Sequence, residues 1–208
     1  SLLIFLKQQH SPCHITVVIQ PFLHTLAKKM PEIDHCILAS FPHGILGLKK
    51  RIQLGHQLQS LNIDQCIILT NTFKSALTAY FSNIKQTTGW SKEYRQLLLN
   101  DARFLNQTAL TTMVQRYVAL GYPKKQMPTF QDCPRPQLTL DPQAAQQLIE
   151  QHQVPLTSKR ILALCPGAAY GPTKRWPVNY FAQVATAMLK QGWTIWLMGG
   201  PKEKSLAT

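Results

Sequence analysis

Acidic side chains are scarce in this sequence. The 208 residues include 22 lysines and arginines but only nine aspartates and glutamates, which gives a formal net charge of +13. A typical domain of this length carries about 26 charged residues of each sign, so the basic character comes from a shortage of acid. Basic residues never run longer than the three at 49–51 and do not interleave with aromatic ones, which disfavours nucleic acid as a partner. An anionic membrane face suits this charge better.

Long apolar runs and paired cysteines are also missing. No stretch approaches the roughly 18 apolar residues that span a bilayer, and the opening SLLIFL lacks the basic leader of a signal peptide, so we expect a soluble, cytoplasmic protein. The five cysteines never occur as C-x-x-C, which disfavours a disulfide framework or a zinc site. Cys66 and Cys165 lie in apolar runs and are predicted to be core residues. No Asp-x-Asp pair is present to bind a metal.

Short apolar runs alternate with segments of helical periodicity along most of the chain. This alternation predicts an α/β fold with parallel sheets. The predicted strands are residues 15–19, 36–39, 66–69, 161–165 and 194–198. Predicted helices begin near residues 2, 21, 48, 73, 113, 142 and 177. The second should turn Phe22, Leu23 and Leu26 inward, and the fifth should bury Met113, Val114, Tyr117, Val118 and Leu120.

Residues 123–136 interrupt this alternation. Four prolines and several polar residues replace the periodic pattern there, which is typical of a linker. We therefore predict two domains, residues 1–135 and 136–208. Asp141 and Pro142 follow with the residue types of a helix N-cap and a first helical position.

The segment at 160–189, RILALCPGAAYGPTKRWPVNYFAQVATAML, is typical of a strand, a loop and a helix. Gly167 ends the strand, and Pro177 suits the start of the helix. A glycine turn that faces a helix N-terminus offers unpaired N–H groups to an anion such as a phosphate. Lys174 and Arg175 add two cations to the same loop. The alternative is a solvated basic loop that binds nothing.

A second strand-to-helix entry lies at residues 71–75. In parallel α/β sheets, ligands bind beyond the carboxyl ends of the strands, so Asn71, Thr72, Lys74 and Ser75 are candidates for a binding site. Alternatively, Asn71 or Thr72 only caps the following helix.

The segment 89–101 has little periodicity, and such long irregular segments often carry function. Asp101 could be a general base, but a capping role or a buried hydrogen-bonded role is favoured.

The string PGAAYGPTKRWP at 166–177 resembles the donor-site motif of the lipopolysaccharide heptosyltransferases, in particular the type II enzymes. Three further stretches resemble the same family in the same order: NTFKSALTAYF at 71–81, TGWSKEYRQLLLND at 88–101 and MVQRYVALGY at 113–122. The resemblance implies a GT-B fold of two Rossmann-like parallel-sheet domains that face each other across a cleft. By the same comparison, the chain begins after the first strand and stops within the second domain.

The resemblance also implies roles for individual residues. The donor-binding residues would be Gly167, Ala168, Gly171, Thr173, Lys174 and Arg175. The acceptor-side residues would be Asn71, Lys74, Ser75 and Trp90. Lys174 would stabilise the departing diphosphate, so that no metal and no cofactor is needed. Relatives commonly have Glu at position 169 and Ala at position 173, where this chain has Ala169 and Thr173.

The implied reaction is inverting transfer of heptose from the co-substrate ADP-heptose to the first heptose of the lipopolysaccharide inner core. The enzyme would be cytoplasmic and peripheral to the anionic surface of the inner membrane. The family's general base, an aspartate after the first strand, has no counterpart here, so we expect the 208 residues alone to be inactive. The alternative is a non-catalytic basic module that binds nucleotides or nucleic acid.

Overall fold

The computed structural model describes residues 1–42, 44–151, 153–154, 160–168, 172–200 and 203. The chain divides into two compact units, Ser1–Leu140 and Asp141–Thr208. None of the helices in these described ranges is long and apolar enough to cross a bilayer.

The first unit alternates strands and helices as predicted up to residue 81, after which it has two strands that were not predicted. Its strands are β1 (Thr16–Ile19), β2 (His35–Leu38), β3 (Gln65–Ile68), β4 (Gln86–Trp90) and β5 (Asp101–Arg103). Its helices are α1 (Leu2–Gln9), α2 (His24–Ala27), α3 (Leu48–Gln59), α4 (Phe73–Phe81) and α5 (Met113–Val118). β1 and β2 pair in parallel, and β3, β4 and β5 form a parallel three-stranded sheet in that order. The predicted α/β fold with parallel strands is therefore confirmed.

Helices α3 and α4 pack closely against each other because Gly55 has no side chain. A Cβ at Gly55 would lie 2.6 Å from Phe81 Cβ and 2.9 Å from its carbonyl carbon, distances that real Cβ atoms do not adopt. Leu54 and Leu58 on α3 pack with Ile37 of β2. The two helices thereby cover the sheets with an apolar layer.

Strand β4 was not predicted, and the sequence analysis placed its last residues in an irregular segment. The reason is that its buried residues are polar: Thr87 and Thr88 are almost fully buried. Their hydrogen bonds are made internally, since Thr87 exchanges two bonds with Asn100 and the Thr88 hydroxyl donates to Asp101. A satisfied polar strand lacks the hydrophobic pattern that identifies strands.

Two predicted apolar faces were partly wrong. Phe22, Leu23 and Leu26 are all exposed and Ala27 is buried instead, because the segment opens with a 3₁₀ turn at Pro21–Leu23. That turn has three residues per turn rather than 3.6, which rotates the buried face. In α5, Gln115 takes a buried position through a capping box with Thr112, so Met113 and Val114 are exposed while Val118 and Leu120 are fully buried.

The second unit contains α6 (Pro142–Gln151), β6 (Ile161–Leu164), α7 (Val178–Lys190) and β7 (Thr194–Leu197), and β6 pairs with β7 in parallel. The predicted cap is confirmed, because Asp141 Oδ1 accepts the N–H groups of Gln143 and Ala144 at 3.0 and 3.2 Å. Pro177 is the N-cap of α7 rather than its first residue. Cys165 lies beyond the end of β6 and is exposed, so its predicted core position was wrong.

Candidate functional site

The first candidate site lies where β6 and β7 end. The two strands are parallel and finish together, with Leu164 opposite Leu197 and Met198 N–H donating to Leu164 O at 2.9 Å. Gly167 follows β6, and Gly199 and Gly200 follow β7. This edge of the sheet is where parallel α/β folds bind ligands.

The carboxylate of Glu203 lies between these two glycine turns. Its Oε2 accepts the Gly200 N–H at 2.8 Å, and a Cβ added at Gly167 would overlap the carboxylate. Sequence analysis missed Glu203, because a charged residue after a glycine pair has no distinguishing signal. The carboxylate can accept hydrogen bonds from hydroxyl groups, while a phosphate bound at this edge must lie away from it.

The two predicted cations of the loop between β6 and α7, Lys174 and Arg175, have different environments. Thr173 and Lys174 are exposed in a 3₁₀ turn, Pro172–Lys174, and the Lys174 ammonium has no hydrogen-bond or ion-pair partner in the described part of the chain. Arg175 instead folds back, and its Nη2 donates to Ala168 O at 3.4 Å. Lys174 is therefore available to a ligand, whereas Arg175 closes the loop. Gly171 lies outside the described residues.

The end of this loop is fixed to α7 by aromatic contacts. The ring of Trp176 stacks on Tyr180 with centroids 5.5 Å apart and meets Phe181 edge-to-face at 5.0 Å. Pro177 gives the helix no side-chain cap. The first N–H groups of α7 and the positive end of its dipole are therefore open to an anion.

The second candidate site lies at the carboxyl end of β3. Neither Asn71 nor Thr72 caps α4 with its side chain; instead, Glu93 Oε2 accepts the Phe73 N–H at 2.8 Å. Thr72 is the N-cap residue of α4, as the capping alternative allowed, but neither side chain forms a cap hydrogen bond. Asn71 Oδ1 is buried and has no hydrogen-bond partner among the described residues. Within the described ranges Lys74 also lacks a polar partner, so its ammonium is free to bind an anionic ligand.

Arg95 organises this second site, although sequence analysis gave it no role. Its side chain is fully buried, and Nη1 donates to Thr70 O and to Ser75 Oγ while Nη2 donates to Ile68 O at 3.4 Å. Burial lowers the pKa of the Arg95 guanidinium. The Ser75 hydroxyl also donates to Thr72 O at 2.6 Å. Ser75 and Arg95 therefore hold the loop after β3 in place.

Trp90 is placed in the core rather than on an acceptor-facing surface. Its side chain is 6% exposed and packs with Leu110, Ala119 and Leu120. The indole N–H donates to Arg116 O at 3.2 Å. A contact between Trp90 and an acceptor therefore does not fit the structure, because the side chain belongs to the core.

Asp101 is partly buried and hydrogen-bonded, close to the role that sequence analysis favoured. Its Oδ2 accepts two bonds from the Arg103 guanidinium, at 2.9 and 2.6 Å, and one from the Thr88 hydroxyl at 3.0 Å. Burial alone would raise the pKa of Asp101, but the hydrogen bonds and charge of Arg103 outweigh it and hold the pKa below its usual value. Such a carboxylate is a weak base. The described residues also contain no group of three histidine, cysteine or carboxylate side chains that could hold a metal ion.

Comparison with known proteins places this chain in a family. Residues 51–208 match the model of glycosyltransferase family 9 (heptosyltransferase). Lipopolysaccharide heptosyltransferase 2 from Salmonella typhimurium and its Escherichia coli counterpart are each 37% identical over 201 residues, which is 95% of this chain and 58% of theirs. Lipooligosaccharide heptosyltransferase 2 from Haemophilus influenzae is 37% identical over 204 residues, 96% of this chain and 58% of its own.

Solved structures agree with these sequence matches. The chain superposes on E. coli ADP-heptose lipopolysaccharide heptosyltransferase II with a TM-score of 0.88 and 33% identity, covering 99% of this chain and 61% of that one. A family 9 glycosyltransferase from Veillonella parvula shares the fold, with a TM-score of 0.79 at 20% identity, covering 99% of this chain and 59% of that one. The predicted GT-B fold class is confirmed, and the chain spans about three fifths of the length of these relatives. The chain belongs to glycosyltransferase family 9, the heptosyltransferases.

Proposed function

We propose that the protein is an inverting glycosyltransferase that moves L-glycero-D-manno-heptose from ADP-heptose to the first heptose of the lipopolysaccharide inner core. The observation that carries this proposal is the 37% identity to lipopolysaccharide heptosyltransferase 2 over 95% of the chain. Family membership favours a transferase over a non-catalytic basic module. The activity is assigned to the complete gene product that contains these residues, since the relatives are longer.

The donor diphosphate binds at the edge where β6 and β7 end. The backbone of Ala168, the Thr173 hydroxyl and the open N-terminus of α7 bind its oxygens, together with Gly171. Gly167 lies against the Glu203 carboxylate and therefore contacts the donor where it carries hydroxyl groups rather than phosphate oxygens. Lys174 supplies an exposed ammonium with no competing partner in the described residues. Arg175 shapes the loop through Ala168 O. Lys174 and the helix dipole provide the positive charge, so the reaction requires no metal and no cofactor beyond the co-substrate.

The phosphorylated inner-core acceptor binds at the carboxyl end of β3. Asn71 contributes to the acceptor side of this edge, and Lys74 attracts an acidic group of the acceptor. Ser75 and Arg95 hold the backbone that positions both side chains. The excess of basic residues binds the enzyme peripherally to the anionic cytoplasmic face of the inner membrane.

A transfer assay tests this function. The complete gene product is incubated with ADP-heptose and an inner-core acceptor that carries one heptose, and ADP release and acceptor mass are followed. We expect one heptose to be added, at a rate that EDTA leaves unchanged. Transfer that occurs only to an acceptor without heptose would contradict the proposal, and so would the absence of any transfer.

Lys174 gives the sharper test of mechanism. In Lys174→Ala we expect kcat to fall by roughly 10² to 10³-fold, with a smaller effect on ADP-heptose binding, because negative charge develops on the bridging oxygen only as the glycosidic bond breaks. Arg175→Ala is the matched control and should lose less, since its guanidinium bonds to Ala168 O. A rise in KM with kcat unchanged would limit Lys174 to ground-state binding.

A further inference from the structure

The loop between β2 and α3 is held at both ends by one buried arginine. Arg51 is 6% exposed, its Nε donates to Leu46 O at 2.8 Å, and its Cζ lies 4.1 Å from the centroid of the Phe41 ring. Arg51 lies in the first turn of α3, and its two contact residues, Phe41 and Leu46, lie in the loop that precedes the helix. The loop therefore has a fixed base, and its outer residues project from that base.

Residues 44–50, called here the 44–50 segment, expose apolar side chains. Ile45 is 57% exposed, and Leu46 and Leu48 are 46% and 44% exposed. Gly44 and Gly47 have positive φ angles of 78° and 59°, a conformation that glycine adopts without strain. Three large apolar side chains within four residues exceed the scattered exposure of an ordinary surface.

Positive charge follows these apolar residues directly. Lys49 and Lys50 are exposed in the first turn of α3. No aspartate or glutamate occurs between Asp34 and Asp64, a stretch of 29 residues that contains the whole segment. Cations beside exposed apolar side chains complement an anionic lipid interface, where phosphates lie just outside the acyl chains.

We propose that the 44–50 segment docks the enzyme on an anionic phospholipid bilayer. Ile45, Leu46 and Leu48 enter the boundary between headgroups and acyl chains, and the ammonium groups of Lys49 and Lys50 bind lipid phosphates. The inference extends the proposed function, which requires the enzyme to meet an acceptor embedded in a membrane.

Vesicle co-sedimentation of the complete gene product tests the docking. The vesicles contain phosphatidylethanolamine and phosphatidylglycerol and no lipopolysaccharide. We expect Ile45→Ser/Leu46→Ser/Leu48→Ser to weaken binding by at least about tenfold. Lys49→Gln and Lys50→Gln should each weaken it about fivefold at low salt and less at high salt.

Leu61→Ser is the matched control. Leu61 and Leu48 are both 44% exposed, but Leu61 lies just beyond the opposite end of α3. We expect vesicle binding of Leu61→Ser to match the unaltered protein. Equal losses in Leu61→Ser and the triple variant, or wild-type binding by the triple variant, would overturn the docking role.

Two further measurements separate loss of docking from misfolding of the triple variant. The fluorescence emission of a tryptophan introduced by Ile45→Trp should shift to the blue when vesicles are added, whereas that of Leu61→Trp should not. The absence of a shift at position 45 would overturn the proposal.

Transfer of heptose to a vesicle-embedded acceptor should fall in the triple variant, whereas transfer to a water-soluble deacylated acceptor should be unchanged. Equal losses on both acceptors would show that the segment contacts the acceptor sugar instead. If the unaltered protein transfers heptose to neither acceptor, the proposed function fails, but vesicle binding still decides the docking.

Discussion

Gly89 is in a position where an added methyl group should have the opposite of its usual effect. The φ of Gly89 is not in the left-handed region, so Gly→Ala in strand β4 would normally stabilise the protein by about 0.4–1 kcal/mol. A Cβ at Gly89, however, would overlap Arg95 Nη2 and lie 3.2 Å from Leu99 Cδ1. Arg95 is fully buried and bonded to backbone carbonyls, so its guanidinium cannot move aside. We therefore expect Gly89→Ala to destabilise the protein by about 1–3 kcal/mol.

The contact partner can be shortened to test this cause. Arg95→Lys should destabilise the protein by about 2–4 kcal/mol, because it leaves buried carbonyls such as Ile68 O without a donor. Lysine also lacks the Nη2 atom that the new Cβ would meet. In the double variant Gly89→Ala/Arg95→Lys, the alanine should therefore add little, and the coupling free energy should be about 1–3 kcal/mol.

Urea unfolding followed by circular dichroism measures these differences as changes in midpoint at constant slope. Hydrogen exchange of peptides that cover residues 65–70 and 86–90 locates the effect in the β3–β4–β5 sheet. If Gly89→Ala leaves the free energy of unfolding unchanged or raises it, the close approach of Arg95 to Gly89 is refuted. An additive double variant would show that the two residues do not interact.

Three other predictions follow from single residues. Burial raises the pKa of the Cys66 thiol to about 11, so iodoacetamide at pH 8.5 should alkylate exposed Cys165 and spare Cys66, as peptide mass spectrometry would show. The lowered pKa of Asp101 contributes stability that is present above its unfolded pKa of about 3.9 and is lost as pH falls through the folded value. Asp101→Asn should therefore lower the melting temperature at pH 7 and flatten its decline in acid. Asp141→Ala should reduce the helicity of α6 and the stability of the second unit by about 1 kcal/mol, measured by urea unfolding.

The parts of the fold that could be predicted from sequence are those in which apolar side chains form the pattern. Ile37 and Leu54 are buried, and each belongs to an apolar pattern that identifies its element, β2 for Ile37 and α3 for Leu54. Strand β4 could not be predicted, because Thr87 and Thr88 are buried through bonds to Asn100 and Asp101, which lie more than ten residues further along the chain. A single-sequence pattern contains no information about such distant partners.

The residues of the candidate sites that could be predicted are likewise those with a local sequence pattern. Gly167 and Lys174 could be chosen locally, because a strand, a glycine turn and a helix start follow one another in the sequence. Arg95 and Glu203 were missed because their positions depend on tertiary contacts with Ile68 O and Gly167. Trp90 was assigned to the acceptor side by resemblance, but its role is set by the core that surrounds it.

The shortage of acid also has a structural consequence that charge counting misses. Three arginines, Arg51, Arg95 and Arg103, are almost fully buried. Arg51 and Arg95 donate to backbone carbonyls and have no carboxylate partner among the salt bridges of the described residues; Arg103 is paired with Asp101 and also donates to two carbonyls. Carbonyl dipoles at loops and strand ends thus satisfy most of the buried guanidinium groups. The net charge available to an anionic partner is therefore carried mainly by lysines, and those beside candidate binding surfaces are Lys49, Lys50, Lys74 and Lys174.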